Sequence, residues 1–275
     1  MGKFDNIFIV SDIDHTFLAY DRSVPQCNLD ALKYFKSEGG QFTFATGRSH
    51  LTLLNAFPDA SELLNAPAVV SNGSYLFDFQ KNEILYPVYL DKNTALDVAH
   101  YIIDNYSDTG IRILTPENTL YGSINKYIFD EIASLGRKVY SEYQAPKDWT
   151  GDDWCKIVIR DDPERLDDIR SELENKFSDF TIEMCKSEAD FLEIQAKGCN
   201  KGRGIKVLRE SFNNKGSGVK IYACGDYEND LSMLALADVA VCPSNASEEV
   251  KRISDLCLCS CNDGLIADLI SRIKL

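Results

Sequence analysis

Two aspartates that follow a short apolar run are the residues of this chain best suited to chemistry. Residues 8–10 (Phe-Ile-Val) lead through Ser11 to Asp12 and Asp14, and the hydroxyl of Thr16 comes two residues later. Runs of this kind suit the central strands of a parallel sheet, where ligands bind beyond the carboxyl ends of the strands. Because buried carboxylates are costly unless a cation neutralises them, the pattern predicts a hard divalent metal beside a reacting phosphate.

Three further segments carry polar groups at the ends of predicted core strands. The first is Thr-Gly-Arg at 46–48, where a hydroxyl and a glycine N–H group can approach an oxyanion. The second is a lysine that opens a helical pattern at 201, and the third is Gly-Asp-Tyr-Glu-Asn-Asp at 225–230. The candidate site residues in these segments are Thr46, Gly47, Arg48, Lys201, Asp226, Asn229 and Asp230.

Each segment taken alone has a simpler interpretation. Thr-Gly-Arg is most often a turn, and a lysine at a helix start is usually a solvated charge. Asp226 and Asp230 suit a helix N terminus, where the helix dipole favours acids, and Asp12 with Asp14 could be a cap and its neighbour. Four such segments in this order, all after predicted strands, are much harder to explain separately, so together they indicate phosphate chemistry.

The elements that must position these residues alternate between strand and helix. Apolar runs that end in polar or small residues lie at 42–45, 68–70, 219–224, 239–242 and 256–259. Helical patterns between them lie at 29–37, 202–211 and 230–237. This alternation predicts parallel βαβ units, and therefore an α/β fold: a Rossmann-like parallel-sheet core with helices on both faces.

The middle of the chain has a different pattern. Between residues 83 and 193 prolines interrupt the sequence. Amphipathic helices are predicted at 94–106 and 163–177, and 124–135 between them is a third candidate helix. The first and last of these are each followed by a probable strand, and Pro163 suits the first turn of its helix. We interpret 83–193 as an inserted α+β cap domain, which divides the core into residues 1–82 and 194–275.

Composition excludes several classes of protein. The 275 residues carry a formal net charge of -14, which argues against general binding to nucleic acid or to an anionic membrane. No secretory signal and no apolar stretch of membrane-spanning length is visible, so we predict a cytoplasmic protein, a monomer or small homo-oligomer. Nine cysteines are an odd number in a chain large enough to need no disulfides. Cys257, Cys259 and Cys261 would share one face of a strand, and we interpret them as packing residues.

These motifs resemble those of the haloacid dehalogenase-like phosphatases. Residues 12–16 (Asp-Ile-Asp-His-Thr) match the nucleophile motif of that family, and the segments at 46–48, 201–202 and 225–230 match its second, third and fourth motifs. The long insertion resembles the α+β cap of the Cof-type subgroup. The segments 72–74 (Asn-Gly-Ser), 245–246 (Asn-Ala) and 263–264 (Asp-Gly) also match that subgroup. His15 stands where many members have glycine, and we interpret it as tolerated by a loosely constrained backbone.

The resemblance implies a role for each candidate residue. Asp12 would attack phosphorus and form an aspartyl-phosphate, and Asp14 would serve as general acid and then general base. Mg²⁺ would be bound by Asp12, by the main-chain carbonyl of Asp14 and by Asp226. The remaining assignments are phosphate binding by Thr46, Gly47, Lys201 and Asn229, with support from Asp230, Arg48 and Asn72.

The predicted function is a Mg²⁺-dependent phosphomonoester hydrolase acting on a small phosphorylated metabolite, such as a sugar phosphate or a phosphorylated cofactor. One alternative is a phosphotransferase or mutase, which would pass the phosphoryl group to a second hydroxyl rather than to water. A second alternative is a sensor that binds a phosphorylated ligand without turnover. Specificity would come from the insertion, for which residues 121–126 and 154–156 are candidates without a distinguishing motif.

Overall fold

A computed structural model describes residues 2–135, 141–177, 182–213 and 218–273, which form two compact units. The first unit comprises Met1–Thr46, Asp59–Leu85 and Asn200–Leu275, and the second comprises Gly47–Pro58 and Tyr86–Cys199. The strands are β1 (Ile7–Ser11), β2 (Gln41–Phe44), β3 (Ala68–Val70), β4 (Tyr75–Asp78), β5 (Glu83–Leu85), β6 (Gly110–Leu114), β7 (Thr119–Ser123), β8 (Ser141–Tyr143), β9 (Lys156–Arg160), β10 (Ile182–Glu188), β11 (Phe191–Ala196), β12 (Lys220–Cys224), β13 (Val239–Pro243) and β14 (Leu256–Leu258). The α-helices are α1 (Gln26–Ser37), α2 (His50–Ala56), α3 (Ala60–Leu63), α4 (Lys92–Asn105), α5 (Lys126–Leu135), α6 (Pro163–Lys176), α7 (Lys201–Asn213), α8 (Leu231–Leu234), α9 (Glu248–Ile253) and α10 (Leu265–Arg272).

The first unit is built on a five-stranded parallel sheet in the order β14-β13-β12-β1-β2. β1 lies between β12 and β2, and its five residues are all buried. In this register Ser11 lies opposite Cys224 on β12 and Phe44 on β2, so three strands end at the same level. The segments that follow β1, β2 and β12 therefore lie at one edge of the sheet. The prediction that Lys201 also follows a core strand is wrong, because the strand before it is β11, which belongs to the six-stranded sheet of the second unit.

Helices cover both faces of this sheet, which confirms the predicted α/β class. Phe8 and Val10 pack in a cluster with residues of α7, α8 and α9. Ile7 and Ile9 point the opposite way because side chains alternate along a strand, and both are also buried. α1 and α10 pack against each other and contact the sheet at β2 and β14.

The segment 68–70 forms β3, which meets the core strands in parallel, as the alternation predicts, and also begins a second sheet. β3 pairs antiparallel with β4, and β4 with β5, in a separate three-stranded sheet. Ala45, directly after β2, forms a parallel bridge with Val69 of β3, and the N–H of Thr46 donates to the carbonyl of Val69 at 2.9 Å. β4 runs antiparallel to β3 because Ser71, Asn72 and Gly73, in the turn between the two strands, all have positive φ and reverse the chain.

The second unit contains a six-stranded sheet in the order β10-β11-β9-β6-β7-β8, antiparallel except for the β7–β8 pair. Buried residues of α4 and α6 pack with Ile111, Ile157 and Ile194 of this sheet. α6 begins at Pro163, with Asp162 as its N-cap, as the sequence predicted. This unit has the mixed α+β composition expected of the insertion, and the boundaries 83–193 stay a prediction.

Two local predictions are corrected. The helix predicted at 230–237 is limited to α8, Leu231–Leu234, after a 3₁₀ turn at Glu228–Asp230. Cys257 lies on β14 but Cys259 and Cys261 lie beyond its end, because the chain turns into a second 3₁₀ segment, and the three thiols do not share a strand face. All nine cysteines are free. Within the described ranges no helix has the length and apolar character needed to cross a membrane.

Candidate active site

The end of β1 places Asp12 at the carboxyl edge of the sheet. The N–H group of Asp12 donates to the carbonyl of Cys224 at 2.8 Å, which continues the β1–β12 pairing by one residue. The Ser11 hydroxyl donates to the carbonyl of Asp12 at 2.6 Å. Asp12 is only 7% exposed, so its carboxylate needs polar partners.

Lys201, the first residue of α7, provides the principal partner of Asp12. Its Nζ lies 2.6 Å from Oδ1 of Asp12 and 2.6 Å from Oδ1 of Asp230. Lys201 and Asp230 are both fully buried. The segments at 12, 201 and 230, which are far apart in sequence, therefore meet around one ammonium group.

The loop after β12 supplies Asp226 and Asp230 in one tight turn. Oδ2 of Asp230 accepts the N–H groups of Asp226 at 2.8 Å and Tyr227 at 3.2 Å. Gly225 is required here because a Cβ at this position would lie 2.5 Å from Asp230. Oδ1 of Asp226 accepts the hydroxyl of Thr16 at 2.7 Å, which ties this loop to the one after β1.

The carboxylates of this site strongly influence each other. Burial raises the pKa of Asp12 well above its ordinary value; Lys201 opposes this, and Asp230, Asp226 and Asp14 add to it. Burial and the charge of Asp230 raise the pKa of Asp226 to about 7. Burial lowers the pKa of Lys201, but the carboxylates of Asp12 and Asp230 outweigh burial and raise it above its ordinary value.

The carboxylates of Asp12, Asp226 and Asp230 fit a hard cation. One oxygen from each lies within 4.8 Å of the other two, and within the described residues no other group of three or more His, Cys, Asp or Glu side chains meets this spacing. Asp14 lies close enough to raise the pKa of both Asp12 and Asp226. Four carboxylates around a single lysine leave an excess of negative charge, and Mg²⁺ prefers oxygen ligands of this type.

Thr46 and Asn72 lie on neighbouring turns of the same unit. The carbonyl of Thr46 accepts the N–H of Asn72 at 3.0 Å, and both residues are buried. Nδ2 of Asn229 lies 3.4 Å from Oδ1 of Asn72, which links this turn to the segment 225–230. Gly47 and Arg48 follow Thr46 directly in the chain, and they are the first residues of the segment Gly47–Pro58, which belongs to the second unit.

Three residues support the site through contacts that the sequence did not predict. Thr16 belongs to the recognised motif, but its bond to Asp226 was not predicted. Arg203, one helical step beyond Gly202, donates to the carbonyl of Gly73 at 2.7 Å and so holds the turn that carries Asn72. Asn245 donates to the carbonyl of His15 at 2.9 Å. A motif match can identify such residues, but it does not show which group each of them hydrogen-bonds.

The interpretation that the backbone at His15 is loosely constrained is wrong. Its φ of 59° lies in the left-handed region, which costs a residue with a side chain about 1–2 kcal/mol and glycine almost nothing. This geometry explains why glycine is common at the position in the family that the motifs resemble. In this chain a histidine occupies it at an energetic cost.

Comparison with known proteins identifies the family to which this chain belongs. A family model for haloacid dehalogenase-like hydrolases matches residues 9–270 of the chain. The chain belongs to the haloacid dehalogenase-like hydrolase family, and the predicted membership is confirmed. It is an enzyme of the phosphatase type, as the motifs implied.

Individual relatives cover most of the chain at low identity. The HMP-PP phosphatase of Klebsiella pneumoniae is 26% identical over 245 residues, which are 87% of this chain and 85% of the relative. The pyridoxal phosphate phosphatase YbhA of Escherichia coli is 24% identical over 258 residues, 88% of this chain and 89% of the relative. The solved structure of the subclass IIB sugar phosphatase BT4131 superposes with a TM-score of 0.82 at 20% identity, covering 96% of this chain and 98% of that one. This last similarity concerns the fold.

Proposed function

We propose that this protein is a Mg²⁺-dependent phosphomonoester hydrolase that acts on a small phosphorylated metabolite through an aspartyl-phosphate. The observation that carries the proposal is the contact of the Lys201 ammonium with both Asp12 and Asp230, within a cluster of carboxylates that also contains Asp226. A purely structural ion pair would not need a third and a fourth acid beside it, since each further negative charge destabilises the buried cluster.

The proposed chemistry begins with Asp12. Lys201 bonds Oδ1 of Asp12, so we assign the attack on phosphorus to Oδ2. As the new O–P bond forms, the bond between phosphorus and the leaving oxygen breaks, and Asp14 donates a proton to that oxygen. Asp14 then takes a proton from a water molecule that attacks the aspartyl-phosphate, which releases phosphate and regenerates Asp12.

The surrounding residues would hold the phosphoryl group while charge accumulates on it. Lys201 carries a positive charge at neutral pH because its pKa is raised. The hydroxyl of Thr46 and the N–H of Gly47 would donate to the transferring oxygens, with Asn229 beside them. Mg²⁺ held by Asp12, Asp226 and the Asp14 carbonyl would reduce the repulsion between an anionic nucleophile and an anionic phosphate. Asp230 would position Lys201.

The relatives suggest what the substrate resembles. One is named for HMP-PP and one for pyridoxal phosphate, both small phosphorylated compounds. We propose a substrate of the same size class, either a phosphorylated cofactor or a sugar phosphate. The absence of a nucleic-acid partner stays a prediction, supported by the net charge of -14. The cytoplasmic location also stays a prediction.

The cap candidates from the sequence have a structural role in the second unit. Tyr121 is 3% exposed and Trp154 is 1% exposed. Trp154 packs in the hydrophobic core of the second unit. Lys156 is buried and forms an ion pair with Glu193 at 2.7 Å. These contacts support packing rather than substrate binding for Trp154 and Lys156.

The test of the proposed function is phosphate release by the purified protein with Mg²⁺ from p-nitrophenyl phosphate and a panel of sugar phosphates, nucleotides and phosphorylated cofactors. Asp12→Asn removes the nucleophile and should lower kcat by a factor of about 10³ or more. Asp30→Asn, which changes an exposed carboxylate of α1, should retain full activity.

Two results would contradict the proposal. Unaltered turnover by a folded Asp12→Asn protein would remove the assigned nucleophile. Ligand binding without turnover across the whole panel would favour the sensor instead. Product analysis in the presence of an acceptor alcohol separates hydrolysis from phosphoryl transfer, because only the transferase would yield a new phosphate ester.

A further inference from the structure

His15 combines two unfavourable features at the edge of the catalytic cluster. Its backbone has a positive φ of 59°, a conformation that glycine adopts without strain. Its Nδ1 is buried, and no hydrogen-bond partner for this atom is found in the described part of the chain. Strained backbone and orphaned polar atoms persist mainly where the surrounding structure or the function requires them.

His15 is adjacent in the chain to Asp14, the proposed general acid and base. It lies between Asp14 and Thr16, and Thr16 is bonded to Asp226. Its ring packs against the ring of Tyr20, with centroids 5.0 Å apart and planes inclined by 42°. Tyr20 is 55% exposed and His15 is half-buried, so the pair presents aromatic surface to solvent.

Both aromatic residues are anchored through their main chains. Asn245 donates to the carbonyl of His15 at 2.9 Å, and the N–H of Tyr20 donates to Oδ1 of Asn262 at 3.0 Å. The turn that contains Tyr20 is closed by the N–H of Ala19, which donates to the carbonyl of Ser23 at 2.9 Å. The backbone that carries both rings is therefore held in place before any ligand binds, which reduces the entropy lost on binding.

We propose that His15 and Tyr20 form a specificity-determining aromatic surface that stacks on the leaving group of the substrate, and that the preferred substrates are phosphate esters of planar heteroaromatic alcohols. This inference rests on the proposed function, because the phosphate must first be held by the catalytic cluster. The faces of aromatic rings provide area for stacking but no hydrogen-bonding groups. A planar ring in the leaving group therefore gains more binding free energy from them than a leaving group rich in hydroxyls does.

The test compares kcat/KM for pyridoxal 5′-phosphate with kcat/KM for glycerol 2-phosphate, two monoesters that differ in the planarity of the leaving group. His15→Gly and Tyr20→Leu should each lower the ratio of the two values by about five-fold, mainly through a higher KM for pyridoxal 5′-phosphate. Tyr34→Leu is the matched control: Tyr34 is 47% exposed on α1 of the same unit and should leave the ratio unchanged.

Thermal unfolding separates recognition from a structural role. His15→Gly relieves the left-handed strain, so the Tm of this variant should equal or exceed that of the parent protein. If His15 had only a structural role, the variant would instead have a lower Tm and an unchanged ratio of the two kcat/KM values. If the enzyme is active and both variants keep the ratio of the parent protein, the proposal that His15 and Tyr20 determine specificity is wrong, but the proposed phosphatase function is not affected. A parent protein that hydrolyses glycerol 2-phosphate but not pyridoxal 5′-phosphate leads to the same conclusion. A parent protein inactive on every ester overturns the proposed function and this inference together.

Discussion

At the scale of single residues, Lys201 determines whether the catalytic cluster can exist. A fully buried ammonium is tolerated because two carboxylates, those of Asp12 and Asp230, contact it at 2.6 Å. The dependence is mutual, because the pKa of Asp12 is raised by burial and by three other acids, and the charge of Lys201 opposes that rise. Removing one member of such a buried charge network leaves the others uncompensated.

We therefore predict that Lys201→Met lowers the free energy of unfolding by about 3–5 kcal/mol and removes phosphatase activity. Urea unfolding at pH 8 measures the loss, and Lys206→Met, a change of an exposed lysine on the same helix, should stay within about 0.5 kcal/mol of the parent. Equal stability of the two variants would mean that the Lys201 contacts contribute nothing net to folding.

At the scale of elements, the site depends on turns that only particular backbones can form. Gly73 has a φ of 87°, and a Cβ on it would lie 2.2 Å from the carbonyl oxygen of Asn200, directly before α7. The turn that carries Asn72 is thus packed against the chain that carries Lys201. Asn200 in turn caps α7 through its Oδ1, which accepts the N–H of Arg203 at 3.0 Å.

Gly73→Ala should therefore destabilise the protein by more than backbone strain alone. Gly198 provides the control, since its φ is 79° but a Cβ there meets none of the described residues within 4 Å. Gly198→Ala should cost about 1–2 kcal/mol from the left-handed backbone, and Gly73→Ala about 1–3 kcal/mol more from the clash. Chemical denaturation of both variants measures the difference, and equal costs would show that the turn can move away from Asn200 without penalty.

At the scale of the whole molecule, the acidic cluster couples the stability of the fold to metal and to pH. Asp226 has a pKa of about 7 in the folded protein and an ordinary value of 3.8. Between these values the folded state holds a proton that the unfolded state has released. The metal-free protein is therefore stabilised by this group at low pH, and that contribution is lost as the pH rises through about 7.

Mg²⁺ should reverse this trend, because protons and the cation compete for the same carboxylates. At a concentration of about 100 times its dissociation constant, Mg²⁺ should stabilise the protein by about 2.7 kcal/mol at pH 8, which raises Tm by several degrees. The rise should be smaller at pH 5.5, and a chelator should abolish it. Calorimetry with Mg²⁺ or with chelator at both pH values measures the effect. A shift of equal size at both pH values would argue against binding by Asp226.

Much of this protein could be predicted from the chemistry of short segments. Asp12, Asp14 and the segment 225–230 were recognisable because apolar strands and the acids at their ends are local patterns. The α/β class followed from the alternation of strands and helices, since each element is encoded by its own periodicity. Pro163 marked the start of α6 because its fixed φ suits a first helical turn.

The tertiary structure decided what these patterns cannot encode. The antiparallel pairing of β4 with β3 depends on three consecutive residues with positive φ, and the alternation of strands and helices does not encode it. Likewise, His15 is strained only because Asn245, 230 positions away, and its own loop hold its backbone there. Local sequence determines the propensity of each segment, whereas burial, charge balance and long-range hydrogen bonds exist only once distant segments have come together.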